Sequence, residues 1–90
     1  MERNLMTILT EADALVNGER NADYDHPRRN FARTALIWEA VLGIPVTPRQ
    51  VALCMIGVKL ARDAFKPKAD NLVDIAGYAQ TAEMCMEATA

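Results

Sequence analysis

The sequence predicts an all-α protein, a compact bundle of about four helices that assembles with other copies of itself. Three observations carry that expectation. Apolar residues recur at spacings of three and four along most of the chain, no stretch alternates as a half-buried strand would, and glycine or proline interrupts the pattern between segments. Ninety residues make one domain, 1–90, and so short a chain buries only about 60% of the surface its unfolded form exposes. With 51% hydrophobic residues, one copy has more apolar side chains than it can cover, which points to a homo-oligomer.

The first helix is expected from about Asn4 to Val16. Leu5, Ile8, Leu9, Ala12, Leu15 and Val16 form its apolar stripe, Glu11, Asp13 and Glu19 turn outward, and Gly18 is the first plausible stop. Residues 18–26, GERNADYDH, have no period and read as a long polar loop whose one sizeable apolar group is Tyr24. The second helix begins at His26-Pro27, because proline fits a first turn where its missing N–H would be unpaired anyway. Asp25 is the better cap by chemistry, and a helix-start role suits His26. Phe31, Ala35, Trp38 and Leu42 make the expected buried stripe, with Ala32, Leu36 and Val41 beside it. Arg28, Arg29 and Arg33 crowd the opening turns, where the helix dipole disfavours positive charge, so the chain either solvates or uses them.

Gly43 ends that helix. Thr47 with Gln50 three residues on, and Pro48 between, is the clearest helix start in the chain, a capping box with proline at the first helical position. The third helix runs from there to about Phe65. It is apolar almost all round for three turns, which marks it as the central, buried helix. Lys66-Pro67-Lys68 breaks it, and a fourth helix starts near Asp70 and frays out at Met84-Cys85-Met86.

Composition excludes several functions. Ten basic against twelve acidic residues give a formal charge of −2, unlike the basic excess of proteins that bind DNA or RNA polymers. No apolar run approaches the ~20 residues that cross a bilayer, and no signal peptide is visible, so a cytoplasmic protein with no membrane partner is expected. Cys54 and Cys85, without a CxxC or a neighbouring histidine, read as buried thiols, with a helix-to-helix disulfide as the alternative. A single histidine rules out a His-based metal site within one chain, and the absence of serine removes a serine triad.

Chemistry concentrates around Pro67. Lys59 and Arg62 share one face of the third helix, and Asp70 and Asp74, four apart, share one face of the fourth. An antiparallel turn at Pro67 would bring all four together. They would then either pair in a structural network or serve a ligand, with cations on phosphate and carboxylates on Mg²⁺. Tyr78, one turn past Asp74, either fills the core or stacks on a base.

Three segments carry a resemblance: Tyr24 to Phe31, the Lys59-x-x-Arg62 pair, and Asp70-x-x-x-Asp74 continuing through Gly77 and Tyr78. From about Ile8 to Met84 the chain resembles a family of small phage and prophage proteins of unassigned function. That family usually has glycine straight after the loop tyrosine and an acidic residue next, where Asp25 and His26 stand here. It looks distantly like the all-α nucleoside triphosphate pyrophosphohydrolases of the MazG type, which hold Mg²⁺ with an ExxE pair and a later ExxD pair. No ExxE exists in this sequence, since Glu11 and Glu39 stand alone, and only Asp70 and Asp74 match the later element. Phages also encode small helical oligomers that sequester the cyclic nucleotides or related messengers of bacterial defence.

The resemblance therefore implies a non-catalytic protein that binds a small phosphorylated nucleotide, with Tyr24, Arg28, Asn30, Lys59, Arg62, Asp70, Asp74 and Tyr78 as candidate ligand contacts and no cofactor. The alternatives are a Mg²⁺-dependent pyrophosphohydrolase, with Asp70 and Asp74 on the metal, and an interaction protein whose charged cluster is structural.

Overall fold

A computed structural model describes residues 7–18 and 25–89, with side chains to residue 86. Among these residues every regular element is an α-helix: α1 (Ile8–Asn17), α2 (Pro27–Leu42), α3 (Pro48–Phe65) and α4 (Ala69–Thr89). The four-helix expectation holds, and no strand is present among the described residues.

Helix ends follow local chemistry. Thr7, in extended backbone, caps α1, and its side chain accepts from the Thr10 amide while Thr10 Oγ1 accepts from the Thr7 amide. Thr7 leaves the helical region to satisfy two otherwise unpaired amides, so α1 begins at Ile8, and the expected start at Asn4 lies outside the described residues. Thr47 and Gln50 form the predicted capping box on α3, at 3.1 and 2.9 Å. His26, not Asp25, caps α2: its Nδ1 accepts from the Arg28 amide at 3.1 Å. Asp25 has a φ of 72°, a left-handed backbone in which glycine is at ease and aspartate is one of the tolerated exceptions. Its carboxylate accepts from the His26 amide at 2.7 Å. Gly43 closes α2 in the left-handed conformation with φ 75°, and its amide donates to the Glu39 carbonyl. Glu39 has a second job that spacing did not reveal: Oε2 accepts from the Val46 amide at 3.0 Å and ties down the link into α3.

Contacts between helices fix their directions. Lys59 meets Asp74, and Asp63 meets Asn71, so α3 and α4 run antiparallel. Asp13 accepts from Gln80 Nε2 at 2.9 Å, while Ala12 and Val16 face Gly77, so α1 also runs antiparallel to α4. Helix α4 is the spine, touching each of the other three helices. At the α3–α4 turn, Asp63 Oδ1 accepts from the Lys68 amide at 3.0 Å and from Asn71 Nδ2 at 3.3 Å. It is Asp63, rather than Asp70, that organises this bend.

The core is made of small side chains. Its buried apolar residues are Ala12, Val16, Ala35, Val51, Ala52, Val73, Ala82 and Cys85, and the largest fully buried ones are Val51 and Cys85. Several predicted core residues lie outside it. Leu9, Leu36, Val41 and Leu42 are more than half exposed, Leu15 is 43% exposed, and only Val51 and Ala52 of α3 are buried. Phe31 and Trp38 are half-buried. Cys54 is exposed, which corrects the expectation of two buried thiols. The physical reason is geometric: among the described residues α3 is covered chiefly by α4 and α2, and its outward apolar face is left open. No helix among the described residues is long and apolar enough to cross a membrane.

Candidate ligand-binding site

A cleft of about 410 Å³ opens where all four helices approach one another. Its walls are mostly apolar, from Leu15 and Val16 on α1, Phe31 on α2, Met55 on α3, and Val73 on α4. Polar groups are few. Lys59 and Asp74 stand on one wall, Asn30 and Thr34 on another, Asp25 and Thr81 complete the set, and the Tyr78 ring lies against Phe31. A concave, largely apolar space of roughly 300–1,000 Å³ with a few converging polar groups is the usual form of a small-molecule site.

Helix register builds the charged wall. Lys59 Nζ sits 2.8 Å from Asp74 Oδ2, and the two side chains are 17% and 28% exposed. The remaining two members of the predicted cluster do not join them. Arg62 and Asp70 are exposed and take no part in lining the cleft. Both lie nearer the Pro67 bend, beyond the reach of the α1 and α2 residues that roof the Lys59–Asp74 level, and no cleft residue comes from positions 60–72. The expected four-group convergence is therefore corrected to one ion pair beside a cavity.

Of the other predicted contacts, Asn30 and Tyr78 line the cleft. The Asn30 carboxamide and the Tyr78 hydroxyl have no hydrogen-bond partner among the described residues. The Phe31 and Tyr78 ring centroids are 6.1 Å apart at 47°, a tilted pair. Arg28 is exposed and lies off the cleft wall. Its charge reaches the buried Cys85 thiol, whose pKa is pushed up by burial and pulled partly back by Arg28. Tyr24 lies outside the described residues.

The sequence reading missed the node at the mouth of the cleft. Asp25 Oδ1 takes Arg29 at 2.8 Å and Oδ2 takes Arg33 at 3.2 Å. Hydrogen bonds from Arg29 and then from the His26 amide hold the Asp25 carboxyl far below its ordinary range, and Asp25 raises the Arg29 pKa in return. Two guanidinium groups share one carboxylate, and of the three residues Asp25 alone lines the cleft. The sequence signal was present: Asp25, Arg29 and Arg33 recur at four-residue spacing across a helix start.

For metal chemistry, the arrangement supplies little. Asp74 is engaged by Lys59, Asp70 does not line the cleft, and no group of three or more His, Cys, Asp or Glu is placed to hold a metal among the described residues.

A family model described as a domain of unknown function, DUF6378, matches residues 7–86. The gene 55 protein of Mycobacterium phage L5 is 43% identical over 82 residues, covering 87% of this chain and 51% of that relative. The gene 55 protein of Mycobacterium phage D29 is 40% identical over 82 residues, covering 90% of this chain and 54% of that relative. The chain thus spans about half the length of the curated relatives it matches. No solved structure matches it.

Proposed function

The chain belongs to the DUF6378 family and has phage relatives, and on that premise we propose that it binds a small phosphorylated nucleotide in the cleft and does not convert it. The observation that supports this most is the pairing of a half-withdrawn cation, Lys59, with an open apolar cavity of about 410 Å³ beside it. An ion pair serving stability alone has no need of such a space.

Each part of a nucleotide finds a chemical counterpart. The base packs on Phe31 and Tyr78, with the Asn30 carboxamide offering both a donor and an acceptor to its edge. Phosphate draws on Lys59, with Arg29 and Arg33 held nearby on Asp25, which lines the cleft. Arg62 has no part in this site. Since a phosphate must compete with Asp74 for Lys59, the ammonium swings from one acceptor to the other as ligand arrives.

Sequestration is the activity that asks no more than these groups. A phage sponge for a cyclic nucleotide or related defence messenger needs affinity and enclosure, whereas cleavage of a triphosphate needs metal to neutralise charge and activate water. Hence binding without turnover is the reading we favour.

Mass spectrometry of small molecules released by heat from the purified protein tests it, alongside thermal shifts across a panel of cyclic dinucleotides and nucleoside phosphates. A released nucleotide of intact mass, or a stabilising one in the panel, is expected. Lys59→Met should weaken its binding at least tenfold. Binding that survives both Lys59→Met and Tyr78→Ala would remove the cleft as the site. Pyrophosphate release abolished by EDTA and by Asp74→Ala would replace sequestration with a MazG-like hydrolysis.

A further inference from the structure

The outward faces of α2 and α3 are the largest feature the cleft leaves unexplained. On α3, Leu53, Val58, Leu60 and Phe65 are 43%, 43%, 55% and 91% exposed, with exposed Cys54, Gly57, Ala61 and Ala64 among them. On α2, Leu36, Ile37, Val41 and Leu42 are 65%, 63%, 77% and 58% exposed, and Ile44 in the link to α3 is 57% exposed. Trp38 joins Ile37, Val41 and Leu42 in lining a shallow groove with no polar residue. Lys59 and Asp63 fall on the far side of α3, and the exposed Arg49 and Arg62, one turn from Leu53 and Val58, flank the face from Leu53 to Phe65, whose middle carries no charge.

We infer that this α2–α3 surface is where a second copy of the chain docks, joining two helical hairpins into one bundle. Three arguments select a second copy over another partner. The first is area. Together these residues expose on the order of 1,000 Å² per protomer, enough to supply the ~800 Å² each partner gives to a standard interface.

The second is the core. Among the described residues nothing larger than Val51 or Cys85 is fully buried, and every leucine is at least 43% exposed. A partner that completes the hydrophobic interior must be present whenever the chain folds, and another copy meets that condition.

The third is self-complementarity. A two-fold interface sets a patch against itself, which a charged surface resists and an uncharged one does not. Large side chains alternate here with small ones, and Gly57 has no atom near its missing Cβ. Glycine in the middle of an exposed helix lowers stability by about 1 kcal/mol relative to alanine, so its presence makes sense where another backbone comes close.

Sedimentation equilibrium under reducing conditions, which exclude a Cys54 disulfide, tests the inference. The chain should sediment at twice its 9.9 kDa mass at micromolar concentration. Gly57→Gln is the decisive variant, because glutamine is a better helix former than glycine and the single chain has room for it. It should keep native helicity by circular dichroism and yet raise the dimer dissociation constant at least tenfold. Leu60→Glu should do the same, while Leu9→Ser, on α1, should leave assembly unchanged. A wild-type chain that remains at 9.9 kDa up to several hundred micromolar would overturn the inference. A dimer unaffected by both Gly57→Gln and Leu60→Glu would do so equally.

Discussion

Lys59 Nζ and Asp74 Oδ2 lie 2.8 Å apart across the α3–α4 hairpin, with both side chains largely withdrawn from water. The pair is the only part of the four-residue cluster around Pro67 that closes among the described residues, and the cleft opens directly beside it. It is thus both a link between two helices and the polar wall of a cavity. Those two roles separate experimentally.

Replacing one partner leaves the other charge partly buried and alone. Lys59→Met and Asp74→Ala should each lower stability by roughly 1–2 kcal/mol, discounted for the solvent that still reaches both groups. The double variant Lys59→Met/Asp74→Leu should recover part of that loss, since no orphan charge remains. Urea unfolding of the three proteins measures it, and equal losses in single and double variants would contradict the pairing.

Acid should act through Asp25. Its folded pKa is depressed by Arg29 and the His26 amide, so the stabilisation it supplies is complete above the ordinary aspartate pKa of about 3.9. Below that pH the unfolded chain takes up the proton first, and the stabilisation declines until the folded carboxyl is protonated too. Asp25→Asn tolerates the left-handed backbone but cannot hold two arginines by charge. Wild type should therefore exceed Asp25→Asn in stability near neutral pH, with the gap narrowing steadily below pH ~4. A gap that widens with acid would reverse the sign.

The bend between α3 and α4 predicts a contrast between two aspartates. Asp63→Ala strips an acceptor from the Lys68 amide and from Asn71, whose side chain is only 8% exposed, and should cost about 1–2 kcal/mol. Asp70→Ala changes an exposed residue and should stay within about 0.5 kcal/mol of wild type. Chemical denaturation of both variants decides the order.

The two thiols should label differently. Cys85 is fully buried with its pKa raised by desolvation, whereas Cys54 is exposed on the single chain. In the Gly57→Gln protein a thiol reagent should modify Cys54 rapidly and Cys85 only as fast as the chain unfolds. Mass spectrometry of digested, time-sampled protein resolves the two sites.

How much of this could be read beforehand depends on the range of the interaction. Thr47–Gln50, His26-Pro27 and the Pro67 break act within one turn, and each was legible. Lys59 with Asp74 was legible too, because a proline bend leaves few ways for consecutive helices to pair. Arg62 and Asp70 were not, since their fate depends on where α1 and α2 end their cover, a tertiary fact with no local code. Asp25 was misread as a cap because capping chemistry and arginine pairing ask for the same carboxylate, and the left-handed backbone at that position decided between them. Burial was the poorest guide. Apolar periodicity marked Leu36, Val41 and Leu42 as interior, yet it cannot say whether the covering surface comes from the same chain.

An interior of alanine and valine also turns the usual mutational logic round. In most domains the hazardous core changes are truncations that open holes, but Ala12, Ala35, Ala52 and Ala82 have almost nothing to lose. What Ala35, Ala52 and Ala82, which lie off the cleft, cannot accommodate is growth, because a larger side chain there presses neighbouring helices apart. Sequence drift in this fold should therefore be tightest at its smallest residues.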